Sequence, residues 1–323
     1  MLTENVKIKT GMGSDVMMKM FVGVTDNDWF NTVKKANCEE VNFWRPSGQN
    51  FKALNINDMF LFKLHSPYDY IVGGGFFVDF SILPSSLAWE AFGIENGVRS
   101  LDELKFKIKK YRKKELLKNN PNIGCVILSP VFYFEEKDWI PVPKDWSKNI
   151  VQGKTYDISS EYGSELFEII LERLRMMEFN DYNPQTISEN RYGKELKIKP
   201  RLGQGAFKVL VTNAYKRRCA ITGEKTLPVL EAAHIRPYSL EGPHEVKNGL
   251  LLRRDFHTLF DRGYITIDKN LYVVVSHRIK EDYGNGKEYY AHHGKQLIIL
   301  PEYKEHQPDL HYLEWHNKNI YIG

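Results

Sequence analysis

The sequence has few cysteines and no long apolar run. Its three cysteines, Cys38, Cys125 and Cys219, are scattered and never form a Cys-x-x-Cys pair. This excludes a disulfide framework and a cysteine zinc knuckle, and it predicts a reducing compartment. No apolar segment follows the N-terminal lysines, and no run is long enough to span a bilayer. Without repeats or low-complexity tracts either, the chain is expected to be a folded cytoplasmic protein that makes no membrane contact.

Positive charge exceeds negative charge only slightly, but the charged residues are unevenly distributed along the chain. The net charge is +4 over 323 residues. Residues 101–120 hold eight Lys and Arg against three Asp and Glu, and residues 201–262 hold eleven against six. Such local excess favours a polyanionic partner more than the net charge does. The basic helix predicted near 105–118 is either a solvated face or a phosphate contact.

The order of apolar segments predicts two domains of the α+β class. Residues 1–178 contain short strand-like segments, a basic helix over 101–117 and an amphipathic helix over 164–177 capped by Ser164. The three glycines 73–75 interrupt a strand and predict a bulge or close packing. Residues 179–200 are polar and turn-rich and predict a linker before a second domain at 201–323. The string QGKTYD lacks the first glycine of a phosphate-binding loop, so no ATP site is expected.

Residues 229–263 carry the residues that predict chemistry. They read as strand, loop, strand and helix, a ββα arrangement that ends at Gly263. His234 ends the first strand and Asn248 opens the second, while His257 and Asp261 lie four residues apart on one helix face. The three elements are therefore expected to bring these side chains to one point.

These residue types suit the hydrolysis of a phosphodiester. That reaction needs a water molecule made nucleophilic and a cation beside the charge that develops on the phosphate. His234, with an ordinary pKa of about 6.5, can accept the proton of water at pH 7. His257 and Asp261 can hold one divalent ion, and Asn248 can fix the loop by hydrogen bonds. An imidazole, a carboxylate and waters suit Mg²⁺ or Mn²⁺, although Ni²⁺, Co²⁺ or Zn²⁺ also accept imidazole.

This stretch resembles the HNH (ββα-metal) endonuclease family, in the branch that carries motifs like LEAAHIRP, NGLLL and HTLFDRG. The resemblance implies that His234 is the general base, that Asn248 orders the loop, and that His257 and Asp261 bind the metal ion.

The sequence departs from the family pattern at two places. Many members carry a metal ligand directly before the base, where this chain has Ala233. Period-two alternation puts Glu231 on the strand face of residue 233, which makes Glu231 a candidate substitute ligand. Other members hold a structural zinc with two cysteine pairs, whereas Cys219 is alone here and Arg253 and Arg254 replace the second pair. No structural zinc is therefore expected.

The N-terminal half resembles PUA/EVE-like β-barrels, which hold a flipped modified base. Over its whole length the chain also resembles a family of predicted prokaryotic restriction endonucleases, through stretches such as EVNFWRPSG, FLFKLHSP, NIVQGKTYD and PRLGQGAF. The resemblance implies a base pocket with stacking and hydrogen-bonding groups. The candidate residues of this pocket are Trp29, Asn42, Phe43, Trp44 and Trp89. Buried tryptophans of a barrel core would explain the same residues.

Together these features predict a PUA-like DNA reader joined to an HNH nuclease, a restriction-type enzyme that defends against foreign, modified DNA. One site per chain would favour a homodimer if both strands are cut. The arginines expected to contact the DNA backbone are Arg201, Arg217, Arg218, Arg236, Arg253 and Arg254. Two alternatives stay open. The first is a nucleic-acid reader whose HNH fold is inactive, as Ala233 suggests, and the second is a nuclease of repair or toxin function.

Overall fold

The computed structural model describes residues 19–112, 119–181 and 203–323. These residues divide into two compact units. The first contains the described residues 19–82, 94–112 and 122–181, and the second contains 83–93, 119–121 and 203–323. Both helices and strands are present, as the α+β prediction requires. Residues 179–181, the start of the predicted linker, are helical, and from residue 182 onward the linker lies outside the described residues.

The first unit is built on a mixed sheet of seven strands. Its strands are β1 (Lys19–Thr25), β2 (Val41–Arg45), β3 (Met59–Leu64), β4 (Tyr70–Pro84), β5 (Asn122–Tyr133), β6 (Ile140–Pro141) and β7 (Gly153–Asp157). They lie in the order β2-β5-β4-β3-β1-β7, and β6 pairs with β4. Strands β1 and β3 are parallel, while β1 and β7 are antiparallel. The helices of this unit are α1 (Asn27–Lys35), α3 (Leu101–Tyr111) and α4 (Glu161–Asp181).

Strand β3 lies inside the sheet, between β4 and β1, and carries buried apolar side chains on both of its faces. All six of its residues are buried. Alternation along the strand puts Met59 and Leu61 into one core cluster, which includes residues of α4. Phe60, Phe62 and Leu64 belong to the other cluster, which includes residues of α1. The two core clusters therefore cover opposite faces of the sheet.

Three local predictions concern this unit: a bulge, a helix cap and a basic helix. The ladder between β3 and β4 shifts register between Phe62 and Lys63, next to Gly73, so the predicted bulge is confirmed. A Cβ atom at Gly73 would lie 2.4 Å from a backbone oxygen, which explains the glycine. The cap predicted at Ser164 is wrong: α4 begins at Glu161, and the hydroxyl of Ser160 accepts the backbone N–H of Gly163 at 3.2 Å. The predicted basic helix is described only as far as Tyr111 and ends there, and residues 113–118 lie outside the described residues.

The second unit contains a short helix from the first half of the sequence and the whole C-terminal part. Its helices are α2 (Ser85–Phe92), α5 (Gln204–Ala214), α6 (Arg254–Asp261), α7 (Arg278–Tyr283), α8 (Lys287–Tyr290) and α9 (Leu310–Asn319). Its strands are β8 (Leu230–His234), β9 (Gly249–Arg253), β10 (Ile265–Ile267) and β11 (Val273–Val275). β8 pairs with β9 and β10 with β11, both antiparallel. None of the described helices combines the length and the apolar character that a membrane span needs.

The core of the second unit lies between the hairpin, α5 and α6. Phe207 and Val211 of α5 pack in one cluster with three consecutive leucines of β9 and with Phe256 and Phe260 of α6. The glycine that starts β9 permits this close packing, because a Cβ atom at Gly249 would lie 2.5 Å from a methyl group of Val211. The packing fixes α5 and α6 against the hairpin, and these elements carry the candidate site.

Candidate active site

The ββα arrangement predicted for residues 229–263 is present. In the ladder between β8 and β9, His234 pairs with Gly249 and Leu230 pairs with Arg253. Helix α6 begins at the residue after β9, so its His257 and Asp261 face the strand that ends in His234. The three elements together form one wall of the site.

Asn248 ties the loop that connects β8 to β9. It is fully buried directly before β9. Its Nδ2 donates to the carbonyl oxygens of Arg236 and Pro243 at 3.0 and 2.9 Å, and its Oδ1 accepts the backbone N–H of Arg236 at 2.9 Å. One side chain thus satisfies three backbone groups of the loop.

His234 is held in a fixed orientation. Its ring stacks on Phe207 of α5, with centroids 3.8 Å apart and planes 9° apart. Its Nε2 lies 2.9 Å from Nδ1 of His244. Burial, and then the neighbouring His244, lower the pKa of His234 to about 4. The imidazole is therefore neutral at pH 7, the form that can accept a proton.

His257 has carboxylates at both ring nitrogens. Its Nδ1 lies 2.7 Å from Oε2 of Glu231, and its Nε2 lies 3.2 Å from Oδ2 of Asp261. Burial acts to lower the pKa of His257, but the hydrogen bonds and charges of Asp261 and Glu231 outweigh burial and raise it. Glu231 also accepts a hydrogen bond from Nε of Arg254 at 2.7 Å. Burial would raise the pKa of Glu231, but its partners His257 and Arg254 lower it.

These contacts give Glu231 a supporting position beside His257, and its role as a metal ligand stays a prediction. Both of its oxygens are engaged, and one of them orients the ring of His257 as carboxylates commonly do for metal-bound histidines. In the described part of the chain, no group of three or more His, Cys, Asp or Glu side chains is arranged to hold a metal ion. The alternation argument also does not describe β8, because Ala233 is buried in the core while Glu231 lines the site.

The pair of His257 and Asp261 fits a divalent ion. Two ligands about 2.1 Å from an octahedral ion and at right angles to each other are about 3.0 Å apart. The 3.2 Å between Nε2 of His257 and Oδ2 of Asp261 is close to this separation. An imidazole nitrogen and a carboxylate oxygen can therefore serve as two of the ligands, and waters and phosphate oxygens would complete the coordination.

One cavity of about 620 Å³ brings the predicted groups together. His234, His257 and Asp261 all line it. Part of its wall comes from α2, which the sequence had assigned to the N-terminal domain. The remaining lining includes Leu83, Leu87, Glu90, Ala91, Gln204, Phe207, Lys208, Leu230, Glu231, Tyr238 and His316. The cavity combines apolar walls with a few convergent polar groups, which is typical of a binding site.

The arginines predicted to contact DNA occupy different environments. Arg253 makes a bidentate pair with Asp255 at 2.7 Å and also reaches Glu288. Arg236 donates to the carbonyl oxygen of Leu240 at 2.7 Å. Arg254, paired with Glu231, lies directly beside the cavity.

The other arginines lie before the hairpin. Arg218 donates to the carbonyl oxygen of Gly223 at 3.4 Å, and Arg217 follows the end of α5 with a positive φ of 58°. Arg201 lies outside the described residues. The role of all six in DNA contact stays a prediction.

The proposed base-pocket residues are divided between the two units. Trp29, Asn42, Phe43 and Trp44 lie in the first unit, whereas Trp89 lies on α2 of the second. Trp29 is buried against Phe43, with ring centroids 5.3 Å apart, and Asn42 donates to Oδ1 of Asn96 at 2.9 Å. No hydrogen-bond partner within the described ranges reaches Nε1 of Trp29 or Oδ1 of Asn42. The pocket stays a prediction.

Sequence reasoning did not identify His244 as a residue of the site. The structure instead places it between His234 and Tyr238, whose ring stacks on His244 with centroids 4.4 Å apart. The sequence does contain this second histidine ten residues after His234. That spacing, however, belongs to no helical or strand period and so gave no signal. Phe207 was equally hidden, because it looks like an ordinary apolar residue of α5.

Comparisons with known proteins identify the same stretch. Residues 219–268 match the HNH endonuclease family. The comparison with curated proteins gave no match. Among solved structures, ASCH from Zymomonas mobilis is similar at 10% identity over 46% of this chain and 94% of that chain, with a TM-score of 0.31. The modification-dependent TagI restriction endonuclease is similar at 13% identity over 87% of this chain and 76% of that chain, with a TM-score of 0.26. The segment of this chain that matches the HNH endonuclease family thus contains His234, Asn248, His257 and Asp261.

Proposed function

We propose that the chain is a metal-dependent endodeoxyribonuclease that hydrolyses DNA at its HNH site. The observation that carries this proposal is that His234 and the pair of His257 and Asp261 line one cavity. A neutral proton acceptor and a site that fits a divalent ion can then act on the same phosphate. The match of residues 219–268 to the HNH endonuclease family supports the same reaction.

In the proposed reaction, His234 removes a proton from a water molecule. The oxygen of that water forms the new bond to phosphorus as the bond from phosphorus to the 3′ oxygen breaks, and the leaving oxygen takes a proton from solvent. A bound divalent ion, Mg²⁺ or Mn²⁺, supplies positive charge beside the phosphate. Glu231 orients the ring of His257, and Asn248 fixes the loop beside His234.

The restriction role is assigned to the chain as a whole. An HNH site alone selects little sequence, so we assign selectivity to the first unit, as a reader of modified bases in foreign DNA. The buried donor of Trp29 and acceptor of Asn42 that lack partners within the described residues support a polar ligand there. Defence against foreign DNA, a cytoplasmic location and a homodimer for cutting both strands complete this proposal.

The alternative of a nucleic-acid reader with an inactive HNH fold has no support from the position of Ala233. That alternative was drawn from Ala233, which lacks a ligating side chain. Ala233 is buried in the core cluster of the second unit. Its methyl group does not line the described cavity, so its identity takes no ligand away from the pair of His257 and Asp261. The repair or toxin alternative is separated by phage plating with and without the gene.

The test is cleavage by purified full-length protein with Mg²⁺ or Mn²⁺, on plasmid DNA and on phage DNAs that differ only in base modification. His234→Ala is expected to lower the cleavage rate by about 100-fold or more, because it removes the proton acceptor. DNA binding in a gel-shift assay should be retained. His277→Ala is the control, since that side chain is 70% exposed and its only described ion pair is at the surface.

Two results would contradict the proposal. Cleavage by His234→Ala at the wild-type rate would remove the base assignment. Equal cleavage of modified and unmodified phage DNA would remove the reader role and leave the nuclease standing.

A further inference from the structure

His244 lies beside the proposed base, in the loop between β8 and β9. Its Nδ1 is 2.9 Å from Nε2 of His234, a hydrogen-bond distance. Asn248 holds the loop through the carbonyl oxygen of Pro243, the residue before His244. The ring of Tyr238 stacks on His244 with planes 9° apart. His244 is thus fixed against His234 both by its backbone and by its ring face.

The contact between the two rings decides where the proton of His234 lies. Burial lowers the pKa of both histidines, so each ring carries one proton at pH 7. If His234 donates from Nε2 to His244, its Nδ1 keeps a free lone pair. If His244 donates instead, the single proton of His234 lies on Nδ1, and neither nitrogen can take a proton from water. Only the first arrangement gives a working base.

The other contacts of His234 leave the ring edge that carries Nδ1 as the one that can accept a proton. Phe207 covers one face of the ring and fixes its plane. His244 then takes the edge with Nε2. The charged and titratable groups of α6 that act on His234 across the cavity are His257 and Asp261, and Lys208 of α5 and Glu90 of α2 also line it.

We propose that His244 is a positioning residue that holds His234 with its proton on Nε2 and so leaves Nδ1 free to accept the proton of the attacking water. The proposal rests on the proposed nuclease function. The water O–H bond breaks, its proton passes to Nδ1 of His234, and the electron pair of the water oxygen forms the bond to phosphorus as the 3′ oxygen leaves with its own pair. The imidazolium that results keeps donating from Nε2 to His244. A carboxylate does the same for the histidine of a serine-protease triad.

The chain permits a matched pair of variants at this position. His244→Asn places an acceptor oxygen where Nδ1 of the histidine lies, whereas His244→Leu keeps much of the volume and offers no acceptor. We expect His244→Leu to lower the single-turnover cleavage rate by about 10- to 100-fold, as losses of orienting partners do. His244→Asn should retain most of the wild-type rate. Thermal unfolding of both variants checks that they are folded at the assay temperature.

A spectroscopic measurement tests the same inference without any cleavage. In protein labelled with ¹⁵N-histidine, the nitrogen shifts of His234, assigned by their loss in His234→Ala, report which ring nitrogen carries the proton. We expect the proton on Nε2 in the wild type and in His244→Asn, and a mixture of both forms in His244→Leu.

The outcomes separate this inference from the proposed function. A wild-type His234 protonated on Nδ1 overturns the inference. So does a folded His244→Asn variant that is as slow as His244→Leu, or a His244→Leu variant with the wild-type rate. If the wild-type protein cuts no DNA, the proposed function fails, and the nitrogen shifts alone then decide the position of the proton.

Discussion

Replacing Asn248 tests whether one buried amide holds the active-site loop. Asn248→Ala removes three hydrogen bonds, two donated to the carbonyl oxygens of Arg236 and Pro243 and one accepted from the backbone N–H of Arg236. Residue 248 is fully buried, so water cannot replace the lost partners without the loop moving. The loop carries His244 and begins shortly after His234. We therefore expect two effects, a loss of stability and a loss of catalytic geometry.

The stability effect can be worked out from the three bonds. Each contributes about 1 kcal/mol net, so the variant should lose about 3 kcal/mol of unfolding free energy. For a unit of this size, about 3 kcal/mol corresponds to a fall in Tm of about 6–12 °C. The catalytic effect adds to this, since cleavage should fall by at least about 10-fold at a temperature where the variant is folded.

The assay combines calorimetric unfolding with single-turnover cleavage, and Asn317→Ala serves as the matched control. Asn317 donates two hydrogen bonds, to the carbonyl oxygens of Ile267 and Leu313 at 2.8 and 2.7 Å, and neither partner belongs to the loop between β8 and β9. It should lower Tm and leave the cleavage rate of the folded protein unchanged. An Asn248→Ala protein with an unchanged Tm, or with full cleavage below its Tm, would refute the reasoning.

Two further predictions concern charge. His316 is 1% exposed, and burial lowers its pKa from 6.5 to about 4. Its contribution to stability is therefore complete above pH 6.5 and is lost as the pH falls from 6.5 to about 4, by up to about 3 kcal/mol. The non-titrating His316→Gln should show a smaller fall in urea midpoint between pH 7 and pH 4.5, and equal falls would contradict this. Asp261→Asn should weaken Mn²⁺ binding, measured by calorimetry, on the order of 10-fold or more, while an unchanged affinity would remove Asp261 from the metal site.

The local part of the site could be predicted from the sequence. His234, Asn248, His257 and Asp261 fall within one continuous stretch, so their placement depends mainly on the order of strand, loop, strand and helix. The helix fixes His257 and Asp261 on one face by their spacing of four residues. The ladder pairs Leu230 with Arg253, so α6, which begins at Arg254, starts beside the first residue of β8 and places His257 next to Glu231.

The distant part of the site could not be predicted. The segment Ser85–Phe92 forms a helix, but nothing in its local pattern indicates that it packs with α5 and lines the cavity. That contact joins residues more than a hundred positions apart, and periodicity reports only neighbours along the chain. His244 was missed for a related reason, since its partner is set by the loop that Asn248 folds rather than by a repeating pattern.

The aromatic residues of the first unit show a different limit of prediction from sequence. Trp29 and Phe43 have the chemistry of a stacking pocket and of a packed core alike. In the structure the planes of their rings lie at 72° to each other, and the ring centroid of Phe62 lies 5.3 Å from that of Trp29. Composition cannot separate the two readings because both bury the same apolar surface. Only the polar atoms Nε1 of Trp29 and Oδ1 of Asn42, which lack partners within the described residues, distinguish this cluster from an ordinary core.

Two histidines of the candidate site, His234 and His257, differ in their surroundings. His234 lies between Phe207 and another imidazole, so its charged form is disfavoured and its pKa falls to about 4. His257 is half-buried, but its two carboxylate neighbours favour positive charge and raise its pKa. A histidine whose charged form is disfavoured, such as His234, is suited to act as a neutral base. A histidine between two carboxylates, such as His257, lies where a cation is favoured. Opposite shifts in one cavity are what acid–base pairs show when their roles differ. These different surroundings support the proposal that His234 at the end of β8 is the base and that His257 of α6 takes part in binding the metal ion.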